Sequence, residues 1–237
     1  MVLKPLPTAT SADARKLNAT VAVLPVGAFE QHGDHFPLVT DTVVACAIAE
    51  RVSKDFNALC LPPVTISCSQ EHSAFAGTVS IRSATLAAVV NDVADSLSAS
   101  GVEHLVIVNG HGGNYVLRNV VQEANVARRR MTLFPSNDDW DRARRESGMV
   151  TSAHDDMHAG ELEASILLHV APDLLRDGFR QSDHQAPRRP HLPVLGISGY
   201  SESGVIGSPS LGDAAKGAAS LDSLSKSFQE HHRLIAE

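Results

Sequence analysis

The chain is predicted to fold as an α/β protein, a three-layer α/β/α sandwich with a mostly parallel central sheet. Apolar strand-like runs lack polar alternation, helical patterns separate them, and clusters of ionisable residues stand where the runs end. Strands covered on both faces read as unbroken apolar runs, and parallel neighbours need helical crossovers between them.

Taken in order, TVAVLPVG (20–27) reads as a buried strand and DTVVACAIAERVSKDF (41–56) as a helix starting near Asp41. ALCLPPVTIS (58–67) reads as a second strand with a Pro-Pro break, and 83–101 as a helix opened by Ser83 and closed by Gly101. HLVIVNGHGGN (104–114) is an apolar strand running into glycines. A helix over 114–130 follows, then a strand over 131–137. HDDMHAGELEAS (154–165) opens a further helical pattern through 161–170. Residues 178–211, rich in Gly, Pro and Ser, form a variable loop, and a segment this long is usually functional or disordered. The tail from 213 reads as a closing helix, giving one domain over 1–237 without internal repeats.

Composition narrows the function classes. A net charge of −7 argues against a general nucleic-acid binder, which needs clustered Lys and Arg. The basic runs Arg128-Arg129-Arg130 and Arg188-Arg189 read as solvated faces, and 4% aromatics leave little for base stacking. Cys46, Cys60 and Cys68 form no CxxC pair, which fits a reduced cytosolic interior. The first 18 residues carry no apolar signal-peptide core, and no stretch approaches the roughly 20 apolar residues of a membrane span. A cytoplasmic protein without membrane or nucleic-acid partners is expected.

The polar clusters carry the chemistry. VGAFEQHGDHFPLVTDT (26–42) places Glu30, His32, Asp34, His35 and Asp41 beside a buried strand, and NGHGGN places His111 at the end of another. In open α/β sheets the ligand crevice lies beyond the carboxyl ends of the strands. His, Asp and Glu converging there suit a borderline divalent ion such as Zn or Mn. The competing readings are plainer. Asp34 reads as a solvated turn residue, and His104, His231 and His232 as ordinary surface or sheet-edge residues. GHGG could be a phosphate-cradling turn, although GxxxxGK[ST] and GxGxxG are both absent. Cys68 and Ser69 have no partner that would make either a nucleophile.

Together, EQHGDHFPLVTDT, EHSAFAGTVS (71–80), VNGHGGN and HAGELEAS resemble the creatininase-type amidohydrolases, a family with a two-metal site. GVIGSPS (204–210) resembles that family's Gly-Pro loop, with Ser208 where an acidic residue is more usual. The resemblance implies the same sandwich fold, with Glu30, His32, Asp41 and His111 as metal ligands and Asp41 bridging. It implies catalytic roles for His158 and Asp41, and pocket-lining or ligand-orienting roles for His35, His72, Gly112, Gly113 and Asn114.

The family's namesake has a glutamate ligand where this chain has Gly113, so creatinine hydrolysis is not expected and one ligand must come from elsewhere. A helix over 161–170 turns about 100° per residue, which puts Glu163 on one stripe with Ile166, Leu167 and Val170. Glu163 is therefore assigned as the remaining ligand. Glu161, roughly 160° away, reads as a solvated acid at the helix start. The implied activity is hydrolysis of an amide, cyclic amide or formamide C–N bond in a small molecule or modified peptide. A metal-bridging hydroxide would attack, held by two ions (Zn, Mn or Fe) per subunit of a homo-oligomer such as a hexamer. The alternative is a non-catalytic α/β module holding a phosphorylated metabolite in the Gly-rich loop.

Overall fold

A strand made only of apolar residues needs cover on both sides, and β1 (Val21–Val26) has it, with every residue buried. The computed structural model describes residues 6–236; residues 1–5 and 237, the ends of the expected domain, lie outside the described residues. β1 pairs in parallel with β2 (Leu59–Cys60) on one side and β3 (His104–Asn109) on the other, and β3 pairs with β4 (Met131–Phe134). The order is β2-β1-β3-β4, wholly parallel.

Successive side chains of β1 and β3 face opposite layers. Val21, Val23, Val106 and Val108 join one core, built with helices α2 (Thr40–Asp55), α5 (Asn137–Glu146), α6 (Glu161–Val170) and α8 (Ala214–Ala236). Ala22, Leu24, Leu105 and Ile107 join the other, beneath α3 (Ser83–Ala99) and α4 (Val116–Ala124). The result is the expected three-layer α/β/α arrangement. From β1 the chain passes through α2 to β2, and from β3 through α4 to β4, on the opposite side. The carboxyl ends of β1 and β3 thus flank a topological switch point, where a crevice forms.

Several elements differ from expectation. The strand over 58–67 shrinks to two residues, because Pro62 and Pro63 have no N–H to give; a single bridge, Val26 to Val64, follows. The helix expected to 130 stops at Ala124, where Asn125 Oδ1 accepts from the N–H groups of Arg130 and Met131 and turns the chain into β4. Two unexpected helices, α1 (Ser11–Leu17) and α5, each begin with a capping box, Thr10 with Asp13 and Ser136 with Asp139. Within 178–211 the chain forms short turns, including α7 (Leu192–Leu195). Strand-like bridges, His158 to Ile206 and His184 to Gly207, fold it back over the strand ends. Among the described residues no helix is long and apolar enough to cross a membrane.

His231 is not an ordinary surface residue. Its Nε2–H donates to Asp139 Oδ2 at 2.8 Å and ties α8 to α5. Burial opposes ionisation of Asp139, but the bonds from His231 and Ser136 outweigh it and hold its carboxyl well below the usual range. A depressed native pKa adds stability above the unfolded value of 3.8, which is lost as pH falls below it. Asp139→Asn is expected to cost about 1–3 kcal/mol at pH 7. Urea unfolding should show the gap to wild type holding down to the carboxylate range and closing below it. An equal gap in strong acid would remove the ionised carboxylate from the explanation.

Candidate metal centre

Asp41 opens α2 and points its carboxylate at the ends of β1 and β3. Gly110, just past β3, permits the approach: a Cβ there would run into the Asp41 carbonyl oxygen. Asp41 is 2% exposed, and its oxygens are divided. Oδ1 lies 3.1 Å from His32 Nε2, and Oδ2 lies 3.0 Å from His111 Nδ1. Glu163, from the first turn of α6, stands 3.8 Å from His32 Nε2, and Glu30 Oε1 stands 3.2 Å from His111 Nδ1. Among the described residues three groups thus have metal-ligand spacing: His32, Asp41 and Glu163; Glu30, Glu71 and His111; and Glu30, His32 and His158.

The second nitrogen of each imidazole is committed to backbone. His32 Nδ1–H donates to the Glu30 carbonyl at 3.1 Å, and His111 Nε2–H to the Cys68 carbonyl at 2.7 Å. In those tautomers the lone pairs of both rings face carboxylates. Both Glu30 oxygens and Asp41 Oδ2 are buried without a directed hydrogen bond. Buried ionised oxygens facing lone pairs are unfavourable unless a cation lies among them or the rings are protonated. The donor set, imidazole nitrogen and carboxylate oxygen, fits Zn or Mn.

The electrostatics of the bare cluster point the same way. Burial and the adjacent Asp41 carboxylate push Glu30 up to about 7. Burial works against a charge on His32 and on His111, yet Asp41 with Glu163, and Glu30 with Asp41, hold both imidazoliums well above the usual range. Burial and His32 hold His158 down to about 4.

His158 packs its ring against His32 and His72, with centroids 4.1 and 4.3 Å away. Its Nε2–H donates to the Gln31 carbonyl at 2.7 Å, and its Nδ1 faces Glu30 at 3.7 Å. The next residue, Ala159, adopts a left-handed φ of 53°, a costly conformation for alanine, and its N–H donates to Glu163 Oε2 at 2.6 Å. His72 Nε2 lies 3.2 Å from Glu30 Oε1, and its Nδ1 accepts from the Gln31 amide at 2.8 Å. Asn114 links the Cys68 N–H to the Asn109 side chain, while Gly112 is exposed at the loop tip. His35 does not join this group. Its carbonyl accepts from Arg176, its ring packs at Gly178, and Asp34 beside it is exposed.

Glu161 departs from its reading as a solvated acid. It is fully buried, because the closing helix covers that side of α6. Lys216 Nζ on α8 donates to Oε1 at 2.5 Å, and Thr151 donates to Oε2 from Oγ1 at 2.6 Å and from its N–H at 3.0 Å. Sequence reasoning also passed over Gln31 and Glu71, each adjacent to or within a polar motif but with partners tens of residues away.

The creatininase family profile, described as creatinine amidohydrolase, matches residues 7–231. A mycofactocin precursor peptide peptidase of Mycolicibacterium smegmatis is 36% identical over 225 residues, covering 90% of this chain and 83% of the relative. A creatinine amidohydrolase of Pseudomonas putida is 30% identical over 196 residues, covering 75% and 74%. A solved creatininase designated Mn superposes with a TM-score of 0.78 at 25% identity, over 95% of this chain and 96% of that one.

The two glutamates of α6 should separate in the chelator-treated protein. Glu161→Ala strands Lys216 and the Thr151 donors and is expected to cost about 1–3 kcal/mol. Glu163→Gln relieves an acid-crowded cluster and should cost much less. Urea unfolding of both variants decides; equal losses would mean that Glu163 also holds the fold.

Proposed function

The chain belongs to the creatininase family, and from that premise we propose that it is a metal-dependent hydrolase of a C–N bond in a precursor or modified peptide. The observation that carries the proposal is the division of Asp41 between His32 and His111, with Glu30 and Glu163 flanking the pair. Glu30, His32, Asp41, His111 and Glu163 are the side chains that would hold two divalent ions. Ions held there acidify water and polarise a carbonyl near neutral pH.

The chain's own groups supply the rest. Backbone carbonyls fix the tautomers of His32 and His111, so their lone pairs stay aimed without reorganisation. His158, whose charged form burial and His32 disfavour, keeps Nε2–H on Gln31 and can take a proton at Nδ1 and return it to a departing nitrogen. Burial raises the Cys68 thiol, which disfavours the thiolate that a nucleophile there would need. A phosphate in the Gly-rich loop would lie beside His111, whose ring stands within 3.4 Å of Glu30, Asp41 and Glu71, and that negative charge disfavours the metabolite-binding alternative.

Two features support a peptide. A cleft of about 530 Å³ reaches His111 and Glu163 between walls that include Arg118, Trp140 and Met157. A second, of about 340 Å³, reaches Glu71 and Gly113 under Leu192–Gly196, and Tyr115 belongs to both. A ligand longer than a single small ring would use both. The relative from Mycolicibacterium smegmatis is named as a peptidase of a precursor peptide, so the substrate need not be restricted to non-peptide bonds.

Purified protein should carry two divalent ions per chain by elemental analysis, and Asp41→Ala should lose both together with activity. Chelation should abolish turnover, and Zn or Mn should restore it on a precursor peptide but not on creatinine. Protein that binds no stoichiometric metal, or that is metal-loaded yet inert on every amide offered, would sink this reading. His158→Asn is expected to lower kcat about 100- to 10,000-fold, the usual span for a proton-transfer group. Its metal content should stay unchanged; loss of metal would make His158 a ligand.

A further inference from the structure

Gly113 leaves room beside His111, and a carboxylate from a distant segment fills it. A Cβ on Gly113 would collide with Glu71 Oε1 and with His111 Nε2. Glu71 lies in the short turn Gln70–His72, its side chain is 18% exposed, and Oε1 stands 3.4 Å from His111 Nε2. That is the one ion pair or hydrogen bond of its side chain among the described residues.

The two nitrogens of His111 separate the possible roles of Glu71. Nδ1 faces Glu30 and Asp41 at 3.2 and 3.0 Å, the side assigned above to metal. Nε2 gives its proton to the Cys68 carbonyl at 2.7 Å, and Glu71 approaches on this side as a second, longer acceptor. A carboxylate placed there stabilises positive charge on the ring and makes Nδ1 a better donor, as second partners of metal-bound histidines do. We propose that Glu71 is the positioning residue of His111, filling from a separate turn the space that Gly113 leaves empty. The Gly113–Glu71 pair is therefore one device. The glycine clears the place, and the glutamate brings the charge without entering the ligand set.

This inference rests on the metal assignment above, and the experiment separates the two. In the zinc-loaded protein, Glu71→Gln and Glu71→Ala should keep the wild-type number of ions. Chelator competition should show affinity weakened about 10- to 100-fold. In the metal-free protein, nitrogen-15 NMR should show the His111 Nε2–H resonance displaced in both variants, with His32 unmoved. Loss of a whole ion would make Glu71 a ligand and overturn the proposal. Unchanged affinity with an unmoved His111 resonance would make it a bystander. Should wild type bind no zinc, the metal assignment fails alone, and the metal-free His111 spectrum still decides whether Glu71 acts on that ring.

Discussion

One buried carboxylate, Asp41, shared between His32 and His111, sets the geometry of this end of the molecule. Because it opens α2, that helix must begin against the ends of β1 and β3. Gly27 and Gly110 are the consequence, since a Cβ on either would strike the backbone of Thr42 or Asp41. The start of a helix is a favourable place for a negative side chain, which offsets part of the cost of burial. The remainder is left to charge beside it. The protein has placed its acids where only cationic partners make burial tolerable.

Buried acids near this point fall into two kinds, told apart by their partners. Asp156 accepts from the N–H groups of Glu161, Leu162 and Ser208 and from Arg144, so it caps α6 and is satisfied without any ligand. Glu161 is satisfied by Lys216 and Thr151. Glu30 has no directed hydrogen bond on either oxygen. Structural acids are closed systems, whereas Glu30 and Asp41 are open ones. Burial alone does not distinguish them.

That difference explains what could be read from the sequence. Unbroken apolar runs reveal a two-sided sheet, because burial on both faces is a property of each strand's own residues. The phase of α6 places Glu163 toward His32, since three residues of helix are enough to fix direction. The same phase misjudges Glu161, because Lys216 arrives 55 residues later from α8 and no local pattern announces it. Helix α5 was hidden for a related reason: its strongly polar sequence shows little apolar stripe, and the signal lies in the Ser136–Asp139 capping box. Glu71 and Gln31 act on partners about 40 residues away, and only the fold brings those together.

The division of labour along the chain follows from these distances. The side chains of the buried centre come from strand ends, helix starts and one short turn, elements fixed by the packing of two cores. The cleft walls come mostly from elsewhere, from α4, α5 and the segment around Leu192–Gly196. That segment packs against the turn that carries Glu71, where a Cβ on Gly196 would strike the Glu71 carbonyl, while the chain beyond it reaches His158 through the Ile206 bridge and Gln31 through the Gly204 carbonyl. Residues of the wall can therefore change while His158 and Gln31 keep their places. Relatives named for creatinine and for a precursor peptide can share one fold on these terms, because the cleft walls lie largely on elements other than those that carry the buried centre.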